Sequence, residues 1–270
     1  MGWASYQEDI MSRHVAAGHF NQCPPRIAIP APKRHTPASY EDTPVAELKE
    51  FVIQSARPLP VILLADISGS MKEEGKIDAL NEAVANMLSA FAEEDAARAE
   101  IQVAVITFGA GGAKLCRPLS PATSQEWTPL TARGTTPLGP ALELARTLLE
   151  DRNQVPSRAY RPTVILISDG QPTGSDGRPT ADWRTSLEQF LGSERASKAI
   201  RFGMAIGDDA DLGVLSAFLA DPERRVFRAS ESRQIKQFFR WVSMSVTARS
   251  RSVNPNAIVF SELNDDELDY

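Results

Sequence analysis

The sequence predicts a three-layer α/β fold with a doubly wound, mostly parallel central sheet. Short apolar runs such as 61–65 and 163–167 alternate with segments whose apolar residues recur every three to four positions. The runs are typical of strands covered on both faces by helices, and the recurring residues are typical of those helices. A glycine-rich turn at 109–112 joins two strand-like runs with no helix between them, which predicts one antiparallel edge strand.

Six strands and five helices follow from these patterns. The predicted strands begin with the run from Pro58 to Ala65 and continue with Ile101–Phe108, Ala113–Leu119, Thr163–Ser168, Ile200–Ile206 and Val226–Ala229. The helical stripes span Ile77–Phe91, Leu138–Leu149, Trp183–Leu191, Leu212–Leu219 and Ile235–Val246. Such stripes indicate core packing rather than a cofactor site. Pro137 is expected in the first turn of its helix, where proline is tolerated.

The charge distribution argues against a nucleic-acid partner, and the distribution of apolar residues argues against a membrane span. The net charge is −6, with 29 Lys and Arg against 35 Asp and Glu. Five of the acids (Glu262, Asp265, Asp266, Glu267, Asp269) lie in the last nine residues, so the rest of the chain is nearly neutral. There is no basic stripe with interleaved aromatic residues, as a nucleic-acid surface would need. There is also no run of 18 apolar residues to cross a membrane.

Cysteine usage and the first residues favour an intracellular protein. Cys23 and Cys116 are the two cysteines and lie far apart in the sequence, so a disulfide framework is not expected. The first twenty residues carry Glu8 and Asp9 instead of a basic segment followed by an apolar stretch, which argues against a signal peptide. We therefore expect a cytoplasmic location.

Three regions are predicted along the chain. Residues 1–56 form a proline-rich N-terminal arm, 57–250 the α/β domain, and 251–270 an acidic C-terminal tail. His14, His19 and Cys23 in the arm match no zinc spacing and lack a fourth ligand, so we interpret them as surface residues. The tail is typical of a solvated end, although Leu263 and Leu268 among its carboxylates could form a short recognition segment.

Polar side chains follow the first strand at a spacing of two. Asp66, Ser68 and Ser70 supply one carboxylate and two hydroxyls just where the apolar run ends. Small oxygen-bearing side chains on a tight turn suit a hard divalent cation such as Mg2+. The alternative is that they only form a turn and cap the next helix.

Two further stretches extend this pattern and carry a family resemblance. They are Arg133-Gly134-Thr135-Thr136-Pro137-Leu138-Gly139-Pro140-Ala141-Leu142 and Thr163-Val164-Ile165-Leu166-Ile167-Ser168-Asp169-Gly170. Together with the first motif, they resemble the von Willebrand factor type A (VWA) domain and its metal-ion-dependent adhesion site. The resemblance covers roughly Pro58 to Ser250. It implies a Rossmann-like VWA fold with a metal bound by Asp66, Ser68, Ser70, Thr136 and Asp169.

The same resemblance implies a function in protein binding. Thr135 competes with Thr136 as the ligand, but Thr136 lies five residues before Ala141, as the family pattern expects. In the family, an Asp or Glu of a partner protein completes the coordination of Mg2+, with Mn2+ or Ca2+ as alternatives. A carboxylate of this chain's own tail could even fill the metal site of a neighbouring copy.

Enzymatic alternatives lack essential groups. A haloacid-dehalogenase-type phosphatase needs Asp-x-Asp, but Ser68 stands at the third position. A serine hydrolase needs a histidine base, and His14, His19 and His35 all lie in the arm. Dinucleotide binding would need Gly-x-Gly-x-x-Gly after the first strand. We therefore expect a protein-binding module that is not an enzyme.

Within the family, four stretches most resemble bacterial tellurium-resistance TerY-type proteins. They are Leu59–Met71, Gly134–Leu142, Ala205–Asp211 and Phe238–Val246. That resemblance implies an adaptor or scaffold that works with a protein kinase and a PP2C-type phosphatase in bacterial stress-response or phage-defence modules. The alternative is a co-factor of a MoxR-type AAA+ ATPase.

Overall fold

A computed structural model describes residues 56–94, 99–124 and 126–256 of the chain. Its six strands are β1 (Arg57–Ile67), β2 (Ala99–Gly109), β3 (Gly112–Pro121), β4 (Thr163–Ser168), β5 (Ile200–Ile206) and β6 (Phe227–Ala229). Its five α-helices are α1 (Lys76–Ala92), α2 (Leu138–Glu150), α3 (Trp183–Gly192), α4 (Leu212–Leu219) and α5 (Ser232–Arg251). Short 3-10 segments span Gly69–Gly75, Ala122–Ser124 and Ala196–Lys198. The N-terminal arm and the acidic part of the tail lie outside the described residues.

The six strands form a single sheet in the order β3-β2-β1-β4-β5-β6. All neighbouring strands are parallel except β2 and β3, which are antiparallel at one edge. The predicted fold class is therefore confirmed. Strand order reverses direction between β1 and β4, because β2 and β3 lie on one side of β1 and β4 to β6 on the other. In open α/β sheets, this switch point is where ligands bind, outside the carboxyl ends of the strands.

Helices cover both faces of the sheet, and β1 is buried between them. Alternate residues of β1 point to opposite faces, so Val61 and Leu63 pack on the side of α1 and α5. Ile62 and Leu64 pack on the side of α2, α3 and α4. All four residues have no exposed surface. This accounts for the continuous apolar run that the sequence shows.

The structure corrects the expectation for Pro137. It precedes α2 with φ −79° and ψ 72°, which are not helical angles, and the helix begins at Leu138. Pro140 instead occupies the first turn, where the backbone N–H that proline lacks would have no partner within the helix.

The hairpin between β2 and β3 matches the sequence interpretation, since Gly109 pairs with Gly112 across the turn.

Helix α5 runs from the carboxyl edge of the sheet to its amino edge. It begins three residues after the end of β6 and ends beside the start of β4, where Arg249 is completely buried. The Arg249 guanidinium donates to Thr163 Oγ1 (2.7 Å), Arg161 O (2.6 Å) and Pro255 O (2.9 Å).

Within the part of the chain that the structure describes, no helix has the length and apolarity to cross a bilayer.

Candidate metal centre

Four of the five predicted metal ligands, Asp66, Ser68, Ser70 and Asp169, come together at the carboxyl edge of the two central strands. β1 and β4 are parallel neighbours, and Ala65 pairs with Ile167. Asp66 and Ser168 are the next residues of the two strands, and Asp169 follows directly. Asp66, Ser68 and Asp169 are all at most 2% exposed. Two carboxyl groups are thus buried next to each other at the switch point.

Backbone hydrogen bonds hold the loop that carries Thr136 against the end of β1. Arg133 N donates to Ile67 O (2.6 Å), and Gly69 N donates to Gly134 O (2.9 Å). Gly134 has a φ of +85°, and a Cβ there would lie 2.5 Å from the Cα of Ala110. Only glycine fits this position without displacing the neighbouring turn. Glycine at position 134 therefore allows the loop that carries Thr136 to pack against the end of β1.

Three oxygens form a close cluster at the centre of the site. Ser70 Oγ donates to Asp169 Oδ1 at 2.8 Å, Ser68 Oγ donates to the same oxygen at 3.4 Å, and the two hydroxyl oxygens are 3.1 Å apart. Adjacent ligands of an octahedral Mg2+ bound at 2.0–2.1 Å lie about 3 Å from each other. The spacing and chemistry of the three oxygens therefore fit neighbouring positions around a hard divalent cation.

Asp66 accepts hydrogen bonds from Ser68, a member of this cluster, and from Ser168. Its Oδ1 accepts from Ser68 N (2.8 Å), which fixes the turn, and its Oδ2 accepts from Ser168 Oγ (2.7 Å). Burial raises the pKa of Asp66 from 3.8 to about 7. The hydrogen bonds from Ser168 and Ser68 oppose this rise in pKa, and the neighbouring Asp169 adds to it. A nearby cation favours the ionised form of such a carboxyl, because it offsets the cost of burying the negative charge.

Lys76, at the start of α1, is the cation that the structure places at the site. Its Nζ lies 3.4 Å from Asp169 Oδ2, and the two side chains are 13% and 0% exposed. The ammonium also lies over Gly207 at the end of β5, where a Cβ would be 3.0 Å from it. Asp169 therefore uses Oδ1 for the serine hydroxyls and Oδ2 for Lys76.

Thr136 lies on the loop that Gly134 joins to Gly69, and it is 6% exposed. Its backbone N–H donates to Thr173 Oγ1 (2.7 Å), and its carbonyl accepts from Thr173 N (3.0 Å). The loop after β4, which contains Thr173, is thus joined to the loop that carries Thr136. Thr135 is more exposed than Thr136. The choice between the two threonines as ligand stays a prediction.

Ser68 does not cap the next helix, as the alternative interpretation of the first motif expected. Ser68 precedes the 3-10 segment at the N-cap position, but its side chain makes no capping hydrogen bond. Its hydroxyl faces Ser70 and Asp169 instead. Among the described residues, no group of three or more His, Cys, Asp or Glu could hold a metal. The predicted site differs from such a group because it has only two carboxylates and completes its donors with hydroxyls.

Sequence reasoning missed two residues of the site, Lys76 and Ser168. Lys76 resembles any lysine in the first turn of an amphipathic helix, and its spacing from Ser70 carries no metal-ligand pattern. Ser168 lies at the end of an apolar strand and next to a motif carboxylate, so a contact with the site could have been expected. Its specific contact with Asp66 depends on the parallel pairing of β1 and β4.

Comparison with known proteins supports the fold. Residues 61–171 match the family model of the von Willebrand factor type A domain, and this range includes every predicted metal ligand. An uncharacterised protein of Mycobacterium tuberculosis, Rv2850c, is 36% identical over 118 residues. That match covers 42% of this chain and 18% of the relative, so the chain corresponds to a small part of it.

Solved structures show the same architecture. A von Willebrand factor type A protein from Catenulispora acidiphila superposes with a TM-score of 0.56 at 20% identity, covering 71% of this chain and 43% of that one. Proximal thread matrix protein 1 from the mussel byssus, with a zinc-occupied MIDAS motif, gives 0.51 at 13% identity, covering 71% and 48%. The six-stranded α/β domain therefore has the von Willebrand factor type A fold.

Proposed function

We propose that this protein is an adaptor that binds partner proteins through a divalent cation. The ligands would be Asp66, Ser68, Ser70, Thr136 and Asp169, and an Asp or Glu of the partner would complete the coordination. The observation that carries this proposal is the cluster of Ser68 Oγ, Ser70 Oγ and Asp169 Oδ1, in which each pair lies between 2.8 and 3.4 Å apart.

The donor set favours Mg2+ over softer metals. Hydroxyl and carboxylate oxygens suit Mg2+, Ca2+ and Mn2+, whereas Zn2+ sites in proteins mostly use Cys and His. A zinc-occupied MIDAS motif in the mussel protein indicates that zinc can enter a site of this type. The bound cation would supply the positive charge that a partner carboxylate recognises, and Ser68, Ser70 and Asp169 would hold its position.

Two residues, Asp66 and Lys76, set the conditions under which the site can bind a cation. Asp66 must be ionised to contribute its charge, and its pKa of about 7 makes this a step that occurs near neutral pH. Lys76 must share or release Asp169, since its ammonium now contacts Oδ2. The burial of both carboxyl groups strengthens their attraction for a cation because solvent screens little there.

The proposed adaptor role does not include catalysis. A histidine base would have to come from His14, His19 or His35, all of which lie outside the described residues. The buried Ser168 and the partly buried Thr173 already hydrogen-bond to Asp66 and to Thr136. We also propose a cytoplasmic location, from the cysteine usage and the character of the first twenty residues. The TerY-type resemblance supports a bacterial stress-response or phage-defence setting with a kinase and a PP2C-type phosphatase.

Affinity capture tests the proposal. The wild type and the Asp66→Ala variant would be purified from the native host in Mg2+ and in EDTA, and the co-purifying proteins identified by mass spectrometry. Asp209→Ala is the matched control because Asp209 is an exposed acid on the loop after β5. A partner that is lost in EDTA and with Asp66→Ala, but retained with Asp209→Ala, would support docking through the metal.

The identity of the captured partner then decides the setting. A kinase or PP2C-type phosphatase would support the TerY-type assignment, and a hexameric ATPase would support the MoxR-type alternative. A partner that binds equally under all conditions would refute metal-dependent docking.

A further inference from the structure

A group of basic side chains lies at the amino edge of the sheet, opposite the metal centre. We call Arg161, Lys198, Arg201 and Arg224 the basic patch. Arg161 precedes β4, Lys198 and Arg201 flank the start of β5, and Arg224 lies on the connection between α4 and β6. The four residues come from different segments, and the fold brings them together at one edge.

The patch is held together by hydrogen bonds to backbone carbonyls. Arg161 Nε donates to Lys198 O, and Arg201 Nη1 donates to Ser197 O at 3.0 Å. Arg224 Nη1 donates to Arg201 O at 3.1 Å. Carbonyl oxygens satisfy N–H donors but carry no net charge. The hydrogen bonds therefore fix the arginines in place without neutralising them.

Few carboxylates balance this charge. Among the described residues, the salt bridge that reaches the patch joins Arg224 to Asp221 at 3.1 Å. Arg161 and Lys198 are exposed. Burial lowers the pKa of Arg201, and the nearby charges of Arg224 and Arg161 lower it further, with Asp221 opposing. The patch therefore presents about three uncompensated positive charges to an incoming anion.

The end of the described chain lies beside this patch. Arg161 N donates to Asn256 Oδ1 at 2.8 Å, and buried Arg249 binds both Arg161 O and Pro255 O. The residues that follow Asn256 include Glu262, Asp265, Asp266, Glu267 and Asp269. Glu262 is six positions beyond Asn256, a span of at most about 20 Å in an extended chain. The chain connection thus keeps the acidic residues within reach of the basic patch.

We propose that the acidic segment Glu262–Asp269 binds the basic patch of its own chain. The patch is then a docking site for acidic peptides that the chain's own tail occupies. The metal centre is a less favourable target for the tail in the same molecule. The 20-residue α5 separates the two edges by about 30 Å, and the tail begins at the amino edge. This inference goes beyond the proposed metal-dependent function and does not depend on it.

A peptide-binding experiment tests the proposal on the full chain. A neutral-tail variant carries Glu262→Gln, Asp265→Asn, Asp266→Asn, Glu267→Gln and Asp269→Asn. A fluorescent peptide with the sequence of residues 260–270 is titrated with each protein in EDTA at low salt. We expect it to bind the neutral-tail variant. We expect wild type to bind it about ten-fold more weakly, because the tethered tail competes at high effective concentration.

Substitutions in the patch should remove this binding. In the neutral-tail background, Arg161→Gln with Lys198→Gln should weaken peptide binding about ten-fold, since each exposed charge pair contributes a few-fold. The matched control, Arg228→Gln with Arg240→Gln, removes two exposed arginines elsewhere and should change binding less than two-fold. Sodium chloride at 0.5 M should abolish binding through screening.

Several outcomes would overturn the inference. Equal binding of the peptide to wild type and to the neutral-tail variant would show that the tail does not occupy the patch. Unchanged binding by the patch variant would place the peptide elsewhere. A salt-sensitive dimer of wild type, lost in the neutral-tail variant, would show that the tail binds a second copy instead. If the patch variant does not fold, equal binding by wild type and the neutral-tail variant would still refute the inference.

Discussion

Asp66→Asn should make the metal-free protein more stable at high pH while removing its response to metal. In the structure, Asp66 is fully buried, accepts hydrogen bonds from Ser68 N and Ser168 Oγ, and has a pKa of about 7. An asparagine has nearly the same shape. Its oxygen can accept from Ser68 N, and its amide can donate to the Ser168 hydroxyl, which both donates and accepts. The substitution therefore removes a charge and keeps the contacts.

The magnitude follows from the difference between the folded and unfolded pKa of Asp66. The folded pKa of about 7 lies above the unfolded value of 3.8, so the folded protein binds more protons between these values. Stability contributed by protonated Asp66 is present below pH 4 and is lost as the pH rises towards 7. Between pH 5 and pH 8, this group lowers the free energy of unfolding by about 2–3 kcal/mol.

Urea denaturation in EDTA measures this effect at the two pH values. The fall in stability from pH 5 to pH 8 should be about 2–3 kcal/mol smaller for Asp66→Asn than for wild type. Addition of saturating Mg2+ at pH 8 should stabilise wild type and leave the variant unchanged, because ligand binding to the folded state raises its stability. An equal pH dependence for the two proteins would refute the burial argument. An equal Mg2+ response would refute Asp66 as a metal ligand.

Four further substitutions test separate features. Lys76→Met should raise Mg2+ affinity about ten-fold by calorimetry, because it removes a positive charge that contacts Asp169. Arg249→Met should lower the free energy of unfolding by roughly 3–5 kcal/mol, since it leaves two buried acceptors, Thr163 Oγ1 and Pro255 O, and the part-buried Arg161 O without their donor. Gly134→Ala should cost roughly 2–4 kcal/mol and weaken Mg2+ binding, because its Cβ would collide with the Ala110 backbone. Thr136→Val should weaken Mg2+ binding by ten-fold or more if Thr136 is the ligand.

Each of these changes has a matched control. Lys72→Met removes an exposed lysine of the neighbouring 3-10 segment, and Arg240→Met removes an exposed arginine of α5. Gly192→Ala adds a methyl group where nothing lies within 4 Å. All three should have small effects. Thr135→Val is the control for Thr136→Val, and a larger loss of affinity with Thr135→Val would assign the ligand to Thr135 instead.

Much of the fold could be predicted because strand and helix patterns were unambiguous. The strands Thr163–Ser168 and Ile200–Ile206 have the bounds that the sequence indicated. A parallel strand covered by helices on both faces is mostly apolar, so polar residues such as Thr163 and Ser168 mark its ends. The exact start of α2 was harder, because proline is compatible both with the first helical turn and with the position before it.

The site could be predicted only in part. Asp66, Ser68 and Ser70 form a local motif, and the resemblance added Thr136 and Asp169. The contacts of Lys76 with Asp169 and of Ser168 with Asp66 depend on which elements meet at the carboxyl edge. The basic patch shows the same limit, because Arg161, Arg201 and Arg224 are scattered in sequence and meet only through the order of β4 and β5.

Anomalous diffraction from crystals grown with Mn2+ at pH 8 tests the central claim most directly. Mn2+ accepts the same oxygen ligands as Mg2+ and gives a strong anomalous signal. We predict a single peak per chain at the carboxyl edge of β1 and β4, about 2.2 Å from Ser68 Oγ and Ser70 Oγ, the distance typical of a hard divalent cation. A peak located elsewhere, or no peak at saturating Mn2+ with Ser68, Ser70 and Asp169 still hydrogen-bonded to one another, would contradict a metal site built from these residues.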